Sequence, residues 1–222
     1  MFDTRATALL KPTIDTLARW LNGWGLRADQ LTVAGFFIGV FAAYSVATSA
    51  YFTGLILIIF SRILDALDGA VARQTSPTDA GGFLDISLDF LFYASIPLAF
   101  AWANPPQNAL PAAVLLAAFM GTASSFLAFA TLAAKRGLHS QAYPHKSLYF
   151  LGGLTEATET LVCFVAMCVF PGSFPELAYG FAALCAITIT TRIASGYHLL
   201  KNAPSLASQP AQPAQTSHSG KP

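Results

Sequence analysis

Apolar side chains recur at helical spacing near the start of the chain, at Leu9, Leu10, Ile14, Leu17, Trp20 and Leu21, while Arg5, Lys11, Asp15 and Arg19 fall mostly elsewhere on the wheel. The pattern predicts an amphipathic helix lying in a membrane interface. Six apolar runs follow, at Leu31 to Ala50, Tyr51 to Val71, Gly82 to Trp102, Ala109 to Ala133, Tyr149 to Phe170 and Leu177 to Leu200. Each is long enough to cross a hydrocarbon core ~30 Å thick, for which about 20 helical residues suffice. The expected fold is therefore all-α: a polytopic membrane protein with six transmembrane helices preceded by an N-terminal interfacial helix. It divides into the helix of residues 1–26, a six-helix domain over 27–202, and a tail over 203–222. That tail is rich in Pro, Ser and Gln and poor in apolar bulk, so disorder is expected there.

Composition agrees with the pattern. The 222 residues are 55% hydrophobic and 10% charged, against about 25% charged in a soluble domain. The formal net charge is +1, and the basic residues are scattered rather than gathered on one face, which argues against a nucleic-acid partner. Their order along the chain sets the topology. Arg27, Arg73, Lys135, Arg136, Lys146 and Lys201 flank alternate ends of the runs, and the opposite turns, at Ser49, "NPPQNA" and "PGSFPE", hold no Lys or Arg. Both termini and the Asp-rich loop are thus expected on the cytoplasmic side. Cys163, Cys168 and Cys185 lie in apolar runs without metal-type spacing and read as packing residues.

Against this background the stretch "LDALDGAVARQTSPTDAGGFLDISLDF" is costly. A carboxylate at the centre of a membrane helix costs about 2.5–3.5 kcal/mol on insertion scales, and such residues are functional by default. On a helical second run, Asp65, Asp68, Gly69 and Ala72 share a face; Asp85 and Asp89 share a face of the third. The short connection "QTSPTDAG" brings the two pairs together, with Asp79 read as a solvated loop residue. Four converging carboxylates suit a hard cation, Mg²⁺ or Mn²⁺. Gly69 and Ala72 leave room for a polar ligand to approach the backbone, and Arg73 can hold a phosphate oxygen. The combination reads as a site for a metal-bound diphosphate.

"DALDGAVAR", followed by Gly81, Asp85 and Asp89, resembles the signature D-x-x-D-G-x-x-A-R…G-x-x-x-D-x-x-x-D of the CDP-alcohol phosphatidyltransferases, with every fixed position filled. The resemblance runs from the N-terminal helix through the sixth run. "GGFLDISLDFLFYA", "GTASSFLAF" and "HKSLYFLGGLTEATET" look most like a bacterial inner-membrane branch whose acceptor is unidentified. Two departures stand out. The loop Gln74 to Ala80 is about one residue shorter than is common, and "RADQLT" stands where many members have T-P-N-x-x-T, so that Asp29 replaces the Asn while Thr32 is kept.

The resemblance implies phosphatidyl transfer from CDP-diacylglycerol to an alcohol acceptor, with release of CMP. It also implies two divalent ions, Mg²⁺ or Mn²⁺, held by Asp65, Asp68, Asp85 and Asp89, with Asp89 as the proton acceptor. Gly69, Ala72, Arg73, Thr78, Gly81 and Thr32 would line the nucleotide site. A homodimer is implied as well, in keeping with small residues such as Gly121, Ala123 and Ser124 in the fourth run.

For the acceptor, the residues leave alternatives open. Arg62, Arg192, Lys135, Arg136, His145 and Lys146 would suit an acceptor carrying phosphate. Glu156 and Glu159 would suit a cationic or polyhydroxyl headgroup, and Glu159 could instead pair with Arg192 between helices. A CDP-headgroup transfer onto diacylglycerol would use the same motif. Divalent-cation transport would also place carboxylates in a membrane, but it gives no role to Gly69, Ala72 and Arg73.

Overall fold

The computed structural model describes residues 2–136, with side chains from Lys11 onward, and residues 153–202. The described residues form α1 (Phe2–Gly23), α2 (Ala28–Ala47), α3 (Tyr51–Gln74), α4 (Asp79–Ala103), α5 (Pro105–Lys135), α6 (Ala157–Val169) and α7 (Phe174–Asn202), with a 3-10 turn at Pro171–Ser173 before α7. Among them there is no strand, as the expected all-α class requires.

Among the described residues, four helical segments are long and apolar enough to cross a membrane: Ala28–Ala47, Asp79–Ala103, Pro105–Lys135 and Pro171–Asn202. The 24-residue α3 has the length but carries Arg62, Asp65, Asp68 and Arg73. The 13-residue α6 rises only about 1.5 Å per residue, about 20 Å in all. The start of the expected fifth run, His145, Lys146 and the tail lie outside the described residues.

The helix ends follow local chemistry. Thr78 caps α4 by accepting the Gly81 N–H at 3.0 Å. Asp79 opens the first turn, where a carboxylate is favoured by the helix dipole. Asp79 is therefore exposed at a helix start rather than part of the loop, and only residues 75–78 join α3 to α4. Arg27 begins α2, its N–H donating to the Gln30 side chain at 3.0 Å.

In lipid, helices associate through close packing and interhelical hydrogen bonds rather than by escape from water. Both devices join α2, α3 and α4. A Cβ at Gly39 would stand 2.5 Å from the Phe92 ring and 3.2 Å from Ser61 Oγ. The buried Ser61 hydroxyl donates to the Gly35 carbonyl at 2.8 Å, tying α3 to α2. The core continues through Ile58, Phe92, Ile96 and Phe100 to Leu115, Phe164, Met167 and Phe174. The three cysteines are free and buried. A smaller cluster joins Ala18 of α1 to Leu31, Leu67, Ala70 and Val71. On the far side, a Cβ at Gly121 would lie 2.6 Å from Ile189, so this glycine serves the α5–α7 contact within the chain.

Candidate active site

Helical spacing on α3 and α4 determines what meets between them. Carboxylate oxygens of Asp65, Asp68 and Asp85 all lie within 4.8 Å of one another. Asp89 stands one turn beyond Asp85 and outside that trio, because its carboxylate forms an ion pair with Arg62. Arg62 also lies 3.4 Å from Asp65 and places its guanidinium 3.8 Å from the centroid of Phe92 and 5.5 Å from that of Tyr93. Arg62, which the sequence assigned to the acceptor, bridges the two aspartate pairs. Thr32, Arg62, Asp65, Asp85 and Asp89 enclose a crevice of about 10 Å³, roughly the space of one water-sized sphere.

Beside this crevice opens a cleft of about 980 Å³. Thr32, Asp68, Gly69, Ala72, Thr78, Gly81 and Asp85 line it, so seven of the sequence-assigned residues share one space. Thr32 faces Asp68 from α2 while its hydroxyl donates to the Ala28 carbonyl at 3.1 Å. Asp29 also lines the cleft, 3.0 Å from where a Gly81 Cβ would lie, which leaves glycine as the residue that fits there without displacing the carboxylate. Arg73 does not line this cleft. It turns toward α1 instead, with Nη1 3.2 Å from the position of a Gly69 Cβ.

Asp68 is 4% exposed, and its Oδ2 is buried without a hydrogen-bond partner. An acceptor-only oxygen in that state is expensive unless a cation or donor meets it. Together with two further carboxylates at this spacing, it fits a hard divalent cation.

The residues assigned to the acceptor are dispersed. Glu156 and Glu159 form a capping box at the start of α6, the Glu156 N–H donating to Glu159 at 3.1 Å. Arg192, 7% exposed on α7, donates to the Thr122 carbonyl at 3.0 Å. Its electrostatic carboxylate neighbour is Glu156 rather than Glu159, because Glu159 is turned back on its own helix end. Thr188, one turn before Arg192, accepts the N–H groups of Leu154 and Thr155 at 3.1 and 3.2 Å. Lys135 is exposed at the end of α5, and Arg136 donates to the Leu200 carbonyl at the end of α7.

Sequence reasoning passed over Phe92 and Tyr93, although they follow Asp89 at the spacings of three and four that put them on its face of α4. Asp29 was noticed as a departure without being placed in the site. Lys11 and Arg19, which stand near Arg73, carried no motif at all.

Facing carboxylates beside a large cleft suit a divalent cation next to a polar ligand, and comparison with known proteins gives the family. The family model of the CDP-alcohol phosphatidyltransferases matches residues 26–192, and the chain belongs to that family. It is accordingly a phosphotransferase of phospholipid synthesis rather than a cation transporter.

Among individual proteins, the chain is 52% identical over 202 residues to the inner membrane protein YnjF of Escherichia coli strain K12, covering 91% of this chain and 98% of that protein. It is 36% identical over 88 residues to the archaetidylinositol phosphate synthase of Pyrococcus horikoshii, a match spanning 39% of this chain and 47% of that enzyme. In fold it resembles the Mycobacterium tuberculosis phosphatidylinositol phosphate synthase PgsA1 with CDP-DAG bound. The TM-score is 0.61 at 21% identity, over 90% of this chain and 98% of that one. The same enzyme in complex with manganese and citrate gives a TM-score of 0.61 at 21% identity, over 89% and 93%.

Proposed function

We propose that the protein transfers a phosphatidyl group from CDP-diacylglycerol to an alcohol acceptor and releases CMP. The observation that carries this reading is the trio Asp65, Asp68 and Asp85, set between a cleft of about 980 Å³ and the Asp89 carboxylate. The likeness in fold to the mycobacterial synthase with CDP-DAG bound supports the donor.

Asp65, Asp68, Asp85 and Asp89 would hold the divalent cations. Mg²⁺ or Mn²⁺ bound there would neutralise charge on a diphosphate and make its phosphorus more electrophilic. The chain's own groups do the rest. The cleft receives the nucleotide against Gly69, Ala72 and Gly81, where the absence of bulk admits it close to the backbone. Thr32 and Thr78 offer hydroxyls, and Arg73 swings from the α1 side to a donor phosphate oxygen. The acceptor hydroxyl attacks the phosphorus of the phosphatidyl group. Its proton passes to a carboxylate oxygen of Asp89, and the bond between that phosphorus and the bridging oxygen breaks, leaving CMP with the electron pair. Arg62, anchored on Phe92, holds Asp89 in position for this. Acceptor contacts would come from Glu156 and Arg192, electrostatic neighbours on α6 and α7.

The topology fits the reaction. The proposed arrangement is six spans over residues 27–202, an interfacial helix over 1–26 and a tail over 203–222, with both termini cytoplasmic in a bacterial inner membrane and two copies forming a homodimer. A lipid donor then arrives from the bilayer and a soluble acceptor from the cytoplasm. The likeness to an Escherichia coli inner membrane protein supports the location.

The test is CMP release by purified protein with CDP-diacylglycerol and Mg²⁺ or Mn²⁺, across phosphorylated polyols, unphosphorylated polyols and amino alcohols, with mass spectrometry of the lipid formed. A phosphatidyl product from one acceptor class is expected. Product only from a CDP-headgroup and diacylglycerol would reverse the donor assignment.

A further inference from the structure

A second polar cleft, of about 580 Å³, lies between α1 and the C-terminal end of α3. Lys11, Asp15, Arg19 and Asn22 come to it from α1, and Arg73 and Gln74 from α3. The Gln74 amide donates to the Asp15 carbonyl at 3.0 Å, which fixes the two walls to each other. Below them Ile14, Ala18 and Leu21 pack with Leu67, Ala70 and Val71, so the cleft has an apolar floor and a charged rim. Three cations face one carboxylate there. The Arg19 guanidinium donates to Thr16 Oγ1 at 2.9 Å, a bond that uses one of its five N–H groups.

The helix geometry sets the direction of the opening. At about 100° per residue, Lys11, Asp15 and Asn22 lie on the side of α1 opposite Leu17 and Trp20, which are 43% and 55% exposed. Trp24 extends that apolar side, its ring 4.0 Å from Trp20. With Leu17 and Trp20 in lipid, the cleft opens to water.

We propose that this cleft binds the phosphate of a small anion from the aqueous phase. Lys11 and Arg19 supply charge-assisted hydrogen bonds from one wall and Arg73 from the other, the donor set that suits phosphate oxygens. The cleft adjoins the nucleotide cleft. Asn22 lines both, and Arg73 is separated from that space only by Gly69. An anion held here keeps Arg73 on the α1 side, which raises the KM for the CDP-lipid and leaves kcat unchanged. That consequence rests on the donor role proposed for Arg73; the binding itself does not.

The test uses the full chain in neutral detergent with EDTA, titrated with inorganic pyrophosphate by calorimetry. Saturable binding is expected, weakened tenfold or more in Lys11→Gln/Arg19→Gln and retained in Lys11→Arg/Arg19→Lys. Both residues are exposed, so the variants are expected to fold. Equal affinity in wild type and the Gln variant, or no saturable binding to wild type, overturns the site. Repeating the titration in phosphatidylcholine nanodiscs with and without phosphatidylglycerol separates the sources. Unchanged pyrophosphate affinity supports an aqueous ligand, and its loss with phosphatidylglycerol assigns the cleft to a lipid headgroup and overturns the aqueous source. Failure of the transfer reaction itself leaves these binding results standing.

Discussion

The Arg62 guanidinium forms an ion pair with the Asp89 carboxylate while resting 3.8 Å from the centroid of Phe92, three residues further along α4. A single cation from α3 is thus held by a charge and a ring on α4, and it also lies 3.4 Å from Asp65 on its own helix. The carboxylate proposed as proton acceptor has its orientation set by a residue outside the family signature.

If Arg62 positions Asp89, Arg62→Lys should lower kcat by roughly tenfold or more, because the ammonium keeps the charge but loses the planar contact with Phe92. KM for the CDP-lipid should change little. Steady-state kinetics with varied donor separate the two. A rise in acceptor KM at constant kcat would return Arg62 to acceptor binding.

Metal dependence should track the unpartnered oxygen of Asp68. Asp68→Asn removes an anionic ligand while keeping the shape, so the Mn²⁺ concentration for half-maximal activity should rise by about tenfold or more. Activity in excess EDTA should be absent in both proteins. A variant with wild-type Mn²⁺ dependence would remove Asp68 from the ligand set.

Packing around Phe92 should couple stability to the site. A Gly39→Ala Cβ falls 2.5 Å from the Phe92 ring, which is 1% exposed. The ring has little space to yield, and overpacking of this kind costs about 1–3 kcal/mol. Thermal unfolding in detergent should show a lower midpoint. Activity should fall beyond the unfolded fraction, as Arg62 loses its platform.

Thr188 makes a separate test on the α6 side. Its hydroxyl oxygen accepts from the Leu154 and Thr155 N–H groups and from the Thr155 hydroxyl at 3.0 Å. Thr188→Val leaves these donors unsatisfied, a destabilisation of about 1–3 kcal/mol. Thr188→Ser, which keeps the oxygen, should recover most of it. Comparing the unfolding midpoints of the two variants reads this out.

Periodicity made part of this architecture legible. Spacings of three and four placed Asp65 with Asp68 and Asp85 with Asp89, and a short link between two helices required the pairs to meet. The identity of the outlier was not legible. Which aspartate leaves the trio depends on where Arg62 reaches, and that depends on the approach of α3 to α4 permitted by Gly39 and Ser61. Arg73 fills a signature position, yet its side chain turns to α1, a choice set by a helix distant in sequence. Glu159 looked like a partner for Arg192 because both are charges in apolar runs, but an acidic residue in a first helical turn is satisfied by its own backbone. Apolar run length likewise marked α2, α4, α5 and α7, while the charges that make α3 the site also lower its apolar character.

The central claim is that Asp89 takes the acceptor proton while Asp65, Asp68 and Asp85 bind. The measurement that tests it most directly pairs turnover with CDP-lipid affinity for Asp89→Asn at saturating divalent metal. The amide keeps the size but removes most of the basicity, so turnover should fall by roughly 10²-fold or more, the scale of general-base loss. Donor affinity should stay within a few-fold of wild type. A parallel fall in both would make Asp89 only a ligand, and turnover near wild type would contradict the account.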